Sequence, residues 1–268
     1  MENAEVLLSV GQYNLIYNAF SFTFATMAAA TLFFWLGRSQ VAPPYKLAVT
    51  ITGLVTAIAA YHYWRILGSW DEAYKVVDGT ITATGYAFND AYRYVDWLLT
   101  VPLLLIELIL VMRLSRDETT KRATRLGLAA ALMIALGYPG EIAETNAARA
   151  VWGAASSVPF LYIVYELFRG LGESIKRQPD DVKPLVENAR LLTFASWGFY
   201  PIVYMAPFVG LTGGGAETVI QIGYTIADIV AKAVFGVLIF VIALRKSQHE
   251  RGDEPAGTVQ GGVAQPAE

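Results

Sequence analysis

The 268-residue sequence contains no cysteine. That excludes disulfides, thiolate nucleophiles and cysteine-ligated metals, and it removes the usual guide to redox compartment. Histidine is nearly absent. With only His62 and His249, a histidine-rich metal site is excluded and no metal is expected. Charge is scarce too: 16% of residues are charged, where soluble domains run nearer a quarter. The net charge of −3 leaves no electrostatic footprint for a nucleic-acid partner. The N-terminus has no basic stretch ahead of a short apolar one, and no cleavage site follows, so the first apolar segment is expected to stay as a membrane helix.

What the chain has instead is apolar length. Hydrophobic residues make up 55% of it and the mean hydropathy is +0.42. Seven long apolar segments appear: Tyr13–Gly37, Lys46–Ile66, Asp90–Met112, Thr124–Tyr138, Arg149–Leu171, Leu185–Phe208 and Thr218–Leu244. The fourth reads short and the third carries charges; the other five are conventional. Irregular backbone cannot face lipid, so all seven are expected to be helices, and no strand-type alternation suggests a β-barrel. The expected fold is an all-α membrane protein, a seven-helix bundle forming a single domain over residues 1–246. A charged tail rich in Gly, Pro and Gln follows, read as disordered over 247–268. The connections are short and polar except for Gly68–Asn89. There, Asp78-Gly79 between β-branched residues signals a β-hairpin within Ala73–Thr84.

Basic residues set the orientation. Of 20 Lys and Arg, fifteen fall on the side holding Arg38, the Arg113–Arg125 cluster, Arg169–Arg190 and the tail, and Arg65, Lys75 and Arg149 fall on the other. The positive-inside rule then puts the N-terminus outside and the C-terminus in the cytoplasm, as an odd number of crossings requires. The two that remain, Arg93 and Lys232, lie inside membrane segments.

An ionisable group in the bilayer costs roughly 2.5–3.5 kcal/mol on insertion scales unless paired or hydrated. The third segment holds Arg93, Asp96 and Glu107, and the seventh holds Asp228 and Lys232. Asp228 and Lys232 are four apart and share a helix face, as do Arg93 and Asp96, three apart. Thr100 lies one turn past Asp96. Glu107 lies three turns past it, roughly 16 Å along the axis and pointing the same way, toward the cytoplasm. A structural ion-pair cluster would explain the lysine and the aspartates. It would not explain Glu107, which sits among Leu, Ile and Val with no basic residue nearby in its own helix, and which is expected to stay protonated. Asp96, near Arg93 and a possible cation, is expected to stay ionised, and two carboxyls on one face with opposite protonation states suggest a proton path. A desolvated lysine amine can condense with an aldehyde, and Asp96 and Asp228 could balance the resulting cation.

These residues resemble a known family. Arg93-Tyr94-Val95-Asp96-Trp97-Leu98-Leu99-Thr100-Val101-Pro102-Leu103-Leu104-Leu105-Ile106-Glu107 looks like the third helix of microbial rhodopsins, within them the proteorhodopsin and xanthorhodopsin group. Gly223-Tyr224-Thr225-Ile226-Ala227-Asp228-Ile229-Val230-Ala231-Lys232 resembles the seventh helix, and Ser196-Trp197-Gly198-Phe199-Tyr200-Pro201 the sixth. Ala59-Ala60-Tyr61-His62-Tyr63-Trp64-Arg65-Ile66 resembles the second, and Gly137-Tyr138-Pro139-Gly140-Glu141 the end of the fourth. The likeness extends over all seven helices and is strongest toward xanthorhodopsin-like pumps.

The resemblance implies a light-driven outward proton pump in a bacterial inner membrane. It implies that Lys232 binds all-trans retinal as a protonated Schiff base and that Asp96 is counterion and proton acceptor. Asp228 would be the second counterion and Glu107 the proton donor, with Thr100 between acceptor and donor. Arg93 would bias release outward, and His62 would hydrogen-bond Asp96 and tune its proton affinity. Trp97, Trp197, Tyr200 and Pro201 would line the polyene, with Tyr94, Met133, Gly137 and Ser156 nearby, and an apolar Leu104 implies green rather than blue absorption. Gly153 stands where many rhodopsins carry a bulky aromatic; it leaves a lateral opening for a carotenoid antenna, or it is a small residue for helix packing. Glu141 reads as structural. Expected partners are lipid, protons and further copies of the chain, as a trimer or pentamer.

Other classes fit less well. An anion pump would not place a carboxylate at Asp96, and sodium pumps carry Asn and Asp where this chain has Asp96 and Thr100. A sensory photoreceptor gains little from Glu107, although a transducer-binding surface stays open. A seven-helix receptor without a chromophore would show no colour with retinal.

Overall fold

In a computed structural model, the structure describes residues 8–89, 91–205, 208, 210 and 213–252. Seven helical rods stand side by side. They are α1 (Val10–Gly37), α2 (Lys46–Ala73), α3 (Ala91–Met112), α4 (Arg116–Glu141), α5 (Asn146–Tyr165), α7 (Lys183–Tyr204) and a last rod made of α8 (Gly213–Asp228) and α9 (Phe235–Arg251). A π-helical turn at Glu166–Gly170 and a short α6 (Gly172–Lys176) extend the fifth, and a π-helical stretch at Ile229–Val234 joins α8 to α9.

Local chemistry fixes the ends. Ser9 and Gln12 form a reciprocal capping box that starts α1. Thr145 caps α5 through the Ala148 amide at 3.2 Å. Between α2 and α3, β1 (Tyr74–Val77) pairs antiparallel with β2 (Thr80–Ala83) in the register Val77↔Thr80, so Asp78-Gly79 is a two-residue turn. Both turn residues have positive φ, 50° and 76°, as a type I′ hairpin requires. The expected hairpin is therefore present.

Several boundaries differ from those read in the sequence. The fourth helix is not short; it begins at Arg116, within a stretch read as a connection. Ser115 caps it, and the pairs Lys121–Asp117 (2.7 Å) and Arg122–Glu118 (3.0 Å), each one turn apart, carry the helix through its polar start. The second helix runs past Ile66 to Ala73. The last helix runs on to Arg251, so residues 247–251, read as the start of a disordered tail, are helix; residues 253–268 lie outside the described residues. Asp90, read as the start of the third helix, also lies outside them.

Among the described residues, five rods are long and apolar enough to cross a membrane: the first, second, third, fifth and seventh. The third, marked in the sequence for its charges, is therefore conventional by this measure. The sixth is not, because Lys183, Glu187 and Arg190 occupy its first turns.

The outer surface is apolar: Leu36, Phe22, Leu128 and Val158 are each more than 60% exposed. Polar groups turn inward instead. Small residues let helices meet: a side chain at Gly236 would strike Thr52 and Phe34, and one at Gly37 would strike Phe240. We call the end of the bundle bearing β1–β2 the hairpin end, and the end where α9 finishes the tail end.

Candidate functional site

The π-helical stretch in the last rod contains Lys232, whose side chain is 1% exposed at mid-bundle. Such stretches insert an extra residue and re-aim the side chains around it. Here the amine meets two carboxylates. It contacts Asp96 of α3 and lies 3.0 Å from Asp228 Oδ1, one turn back on its own rod. Both aspartates are buried. A buried cation between two anions is compensated at close range, which accounts for its burial.

The two aspartates are held differently. Asp228 Oδ1 accepts from Tyr200 (2.6 Å) and Trp97 Nε1 (3.0 Å), and Oδ2 accepts from Tyr63 (2.8 Å). Asp96 Oδ2 meets the lysine, while Oδ1 has no hydrogen-bond partner among the described residues. Asp228 is a fixed, saturated anion; Asp96 retains an oxygen that can take a proton.

His62 lies beside Asp96, as expected, but does not hydrogen-bond to it. Its Nδ1 is 3.9 Å from Asp96 Oδ1 and 2.9 Å from the Ile58 carbonyl, one turn back on α2. The helix supplies the nearer acceptor, so the ring is fixed by its own backbone. Thr100 donates to the Asp96 carbonyl at 2.8 Å. Arg93, one turn toward the hairpin end, is buried with its guanidinium 5.4 Å from the Phe20 ring and 5.5 Å from that of Tyr224.

Glu107 lies on the same face of α3, toward the tail end, and is fully buried. Neither carboxyl oxygen has a hydrogen-bond partner among the described residues; the hydroxyl facing it is that of Thr52. Among the described residues no cation stands beside it to hold an anion.

A cavity of about 360 Å³ ends at Lys232. It falls within the roughly 300–1,000 Å³ of small-molecule sites. Every residue expected to contact the polyene lines it: Tyr94, Trp97, Leu104 and Met133, then Gly137, Ser156, Trp197, Tyr200 and Pro201. Ser156 is fixed by a 2.8 Å bond to the Met133 carbonyl, and Gly137 has room for no more than a small residue between Ser156 and Tyr94. An apolar, aromatic-walled cavity with an amine and two carboxylates at one end fits the aldehyde-bearing polyene that the resemblance implies.

Gly153 also lines the cavity, beside Ala150, Ala154 and Met205, which are exposed on the outer face between α5 and α7. The cavity therefore reaches the bundle's side there. Its wall is Tyr204, whose ring would lie 3.1 Å from a Cβ at Gly153 and whose hydroxyl donates to the Arg149 carbonyl at 2.7 Å. Glu141 is structural, as expected: it accepts from Tyr94 at 3.1 Å and faces Arg149 at 3.4 Å.

Sequence reading missed Tyr63, Tyr224 and Tyr204. Tyr63 stood in a quoted motif without a role, although a tyrosine hydroxyl in an apolar helix needs a partner. Tyr224 likewise stood in the motif of the last helix without a role, and Tyr204 gave no signal, because its bond to the Arg149 carbonyl crosses between helices.

Residues 15–246 match the family model described as bacteriorhodopsin-like protein. The chain is 31% identical to the green-light absorbing proteorhodopsin of Gamma-proteobacterium EBAC31A08, over 87% of this chain and 89% of that one. It is 32% identical to bacteriorhodopsin of Halobacterium salinarum, over 80% and 79%. Among solved structures it is similar to xanthorhodopsin, described as a light-driven ion pump with dual chromophore. The identity is 53%, the TM-score 0.88, and the coverage 91% of this chain and 98% of that one. A thermophilic rhodopsin matches at 47% identity and the same TM-score.

Proposed function

The chain belongs to the bacteriorhodopsin-like family of multi-pass membrane proteins, microbial rhodopsins that include light-driven ion pumps, and from that premise we propose that it pumps protons outward across a bacterial cell membrane under light. The observation that carries the proposal is the pair of carboxyls on one face of α3. Asp96 touches Lys232 and keeps one oxygen free. Glu107, three turns away, is buried without a cation or a hydrogen-bond partner among the described residues.

Lys232 would hold retinal as a protonated Schiff base, and the chromophore would supply light absorption and a change of shape at the amine. The protein's own groups would do the rest. Asp228, fixed by Tyr63, Tyr200 and Trp97, keeps a negative charge beside the amine through the cycle. Asp96 takes the proton on its free oxygen. Arg93, toward the hairpin end, favours departure of that proton to the outside. Glu107 holds a proton because its surroundings cannot support an anion, and it gives that proton back from the tail end, which faces the cytoplasm. The aromatic walls formed by Trp97, Trp197 and Tyr200 exclude water from the amine.

A second chromophore is supported by the side opening at Gly153 and by the likeness to a dual-chromophore pump. A carotenoid lying against α5 and α7 would pass its excitation inward there.

The test is illumination of retinal-supplied cells expressing the chain. The medium is expected to acidify, with the response abolished by a protonophore. Light-driven alkalinisation, or a response that persists with the protonophore, contradicts outward proton pumping.

A further inference from the structure

The last two turns of α9 are more than the end of a helix. They touch three connections at the tail end. Ser247 accepts from the Ala42 amide at 2.8 Å, and Glu250 accepts from Tyr45 (2.7 Å) and Arg113 (2.9 Å). His249 pairs with Asp181 at 2.7 Å. The centre is Lys246, 7% exposed. Its ammonium donates to the carbonyls of Val111 (3.0 Å) and Met112 (3.0 Å) and to Gln178 Oε1 (2.6 Å). An ammonium has three protons, and all three have acceptors.

Each acceptor has a reason to be there. α3 ends where Arg113 takes a φ of 56°, which leaves the Val111 and Met112 carbonyls without helical partners. A cation at a helix C-terminus also complements the dipole. Gln178 precedes α7, and its amide donates to the Met112 (3.2 Å) and Ser174 (3.0 Å) carbonyls. One buried amine thus joins the end of α3, the segment leading into α7, and α9.

Val111 is one turn beyond Glu107 on the same face of α3. We infer that Lys246 is a positioning residue for proton uptake: its bridge to Gln178 holds the tail end shut beside Glu107 and sets how often that carboxyl meets the medium. The inference rests on Glu107 being the internal donor. Phe34, Val111, Ile239 and Ala243 belong to the buried apolar core that surrounds this stretch, so a proton from the medium needs an opening. Moving the start of α7 outward breaks the Lys246–Gln178 bond and wets the two carbonyls one turn from Glu107.

The experiment uses the full-length, retinal-loaded protein in membranes, with Lys246→Met, Gln178→Leu and the double variant. Flash-induced proton uptake is followed with a pH dye, and proton arrival at Asp96 by infrared absorption. Each single variant is expected to take up protons about tenfold faster, the shift in an opening equilibrium that follows loss of one charge-assisted hydrogen bond. The double variant should be no faster than Gln178→Leu alone, which also loses the amide bond to the Met112 carbonyl, and arrival at Asp96 should be unchanged. Unchanged uptake, additive effects, or an equal change in both steps overturns the inference. In retinal-free protein, amides 174–183 should exchange hydrogen faster in either variant, and unchanged exchange also overturns it. Failure of the donor reading shows separately, as Glu107→Gln protein whose uptake is unaltered.

Discussion

Asp96 and Asp228 flank the same amine, yet Asp228 has hydrogen bonds to both carboxyl oxygens while Oδ1 of Asp96 has none among the described residues. The difference assigns them different work. Asp96→Asn is expected to move the absorption band to the red and to stop pumping, as measured by spectra and by light-driven acidification. Asp228→Asn removes the anion that Tyr63, Tyr200 and Trp97 serve. It should destabilise the fold by about 3 kcal/mol, read as a lower Tm. Pumping at the normal rate by Asp96→Asn protein would reject its role as acceptor.

Glu107 is expected to be the source of the returning proton. Glu107→Gln cannot carry one, so recovery should slow by about 100-fold, within the range that general acid catalysis contributes. The remaining rate then depends on protons from the medium and should fall about tenfold for each unit of rising pH. Flash photolysis over a pH series checks both. A rate that is unaltered and flat with pH removes Glu107 from the path.

Gly153 leaves the side of the cavity open, with Tyr204 as the next wall. Gly153→Trp is expected to abolish energy transfer from an added carotenoid while light absorbed by retinal still drives pumping. The excitation spectrum of pumping measures this. Transfer that persists places the carotenoid elsewhere.

Gly236 lets α9 pack on α1 and α2, because a Cβ there would lie 2.6 Å from Thr52 Cγ2 and 2.7 Å from Phe34 Cζ. Gly236→Val should cost about 1–3 kcal/mol through overpacking, seen as a lower Tm. Since Thr52 faces Glu107, recovery should slow as well. A melting curve like that of the native protein would show that these neighbours yield freely.

Much of this was legible in the chain. The eleven-residue spacing of Asp96 and Glu107 and the four-residue spacing of Asp228 and Lys232 fix shared faces, because helix geometry is local. Asp78-Gly79 gave the hairpin for the same reason. What stayed hidden depends on other helices. Tyr63 and Asp228 are far apart in sequence, and nothing on α2 announces that bond. Arg116 looked like loop because its helix is held by ion pairs and a cap, not by apolar periodicity. The role of Lys246, at the edge of the domain read in the sequence, stayed hidden because its acceptors lie on α3 and ahead of α7. His62 shows the limit of resemblance: adjacency to Asp96 carried over, while the hydrogen bond went to the helix's own carbonyl.

The central claim concerns one amine. The measurement is the visible absorption spectrum of purified Lys232→Ala protein supplied with retinal, beside the native protein treated alike. The account predicts a strong visible band in the native protein and none in the variant. A variant that still forms the pigment, or a native protein that stays colourless, contradicts it.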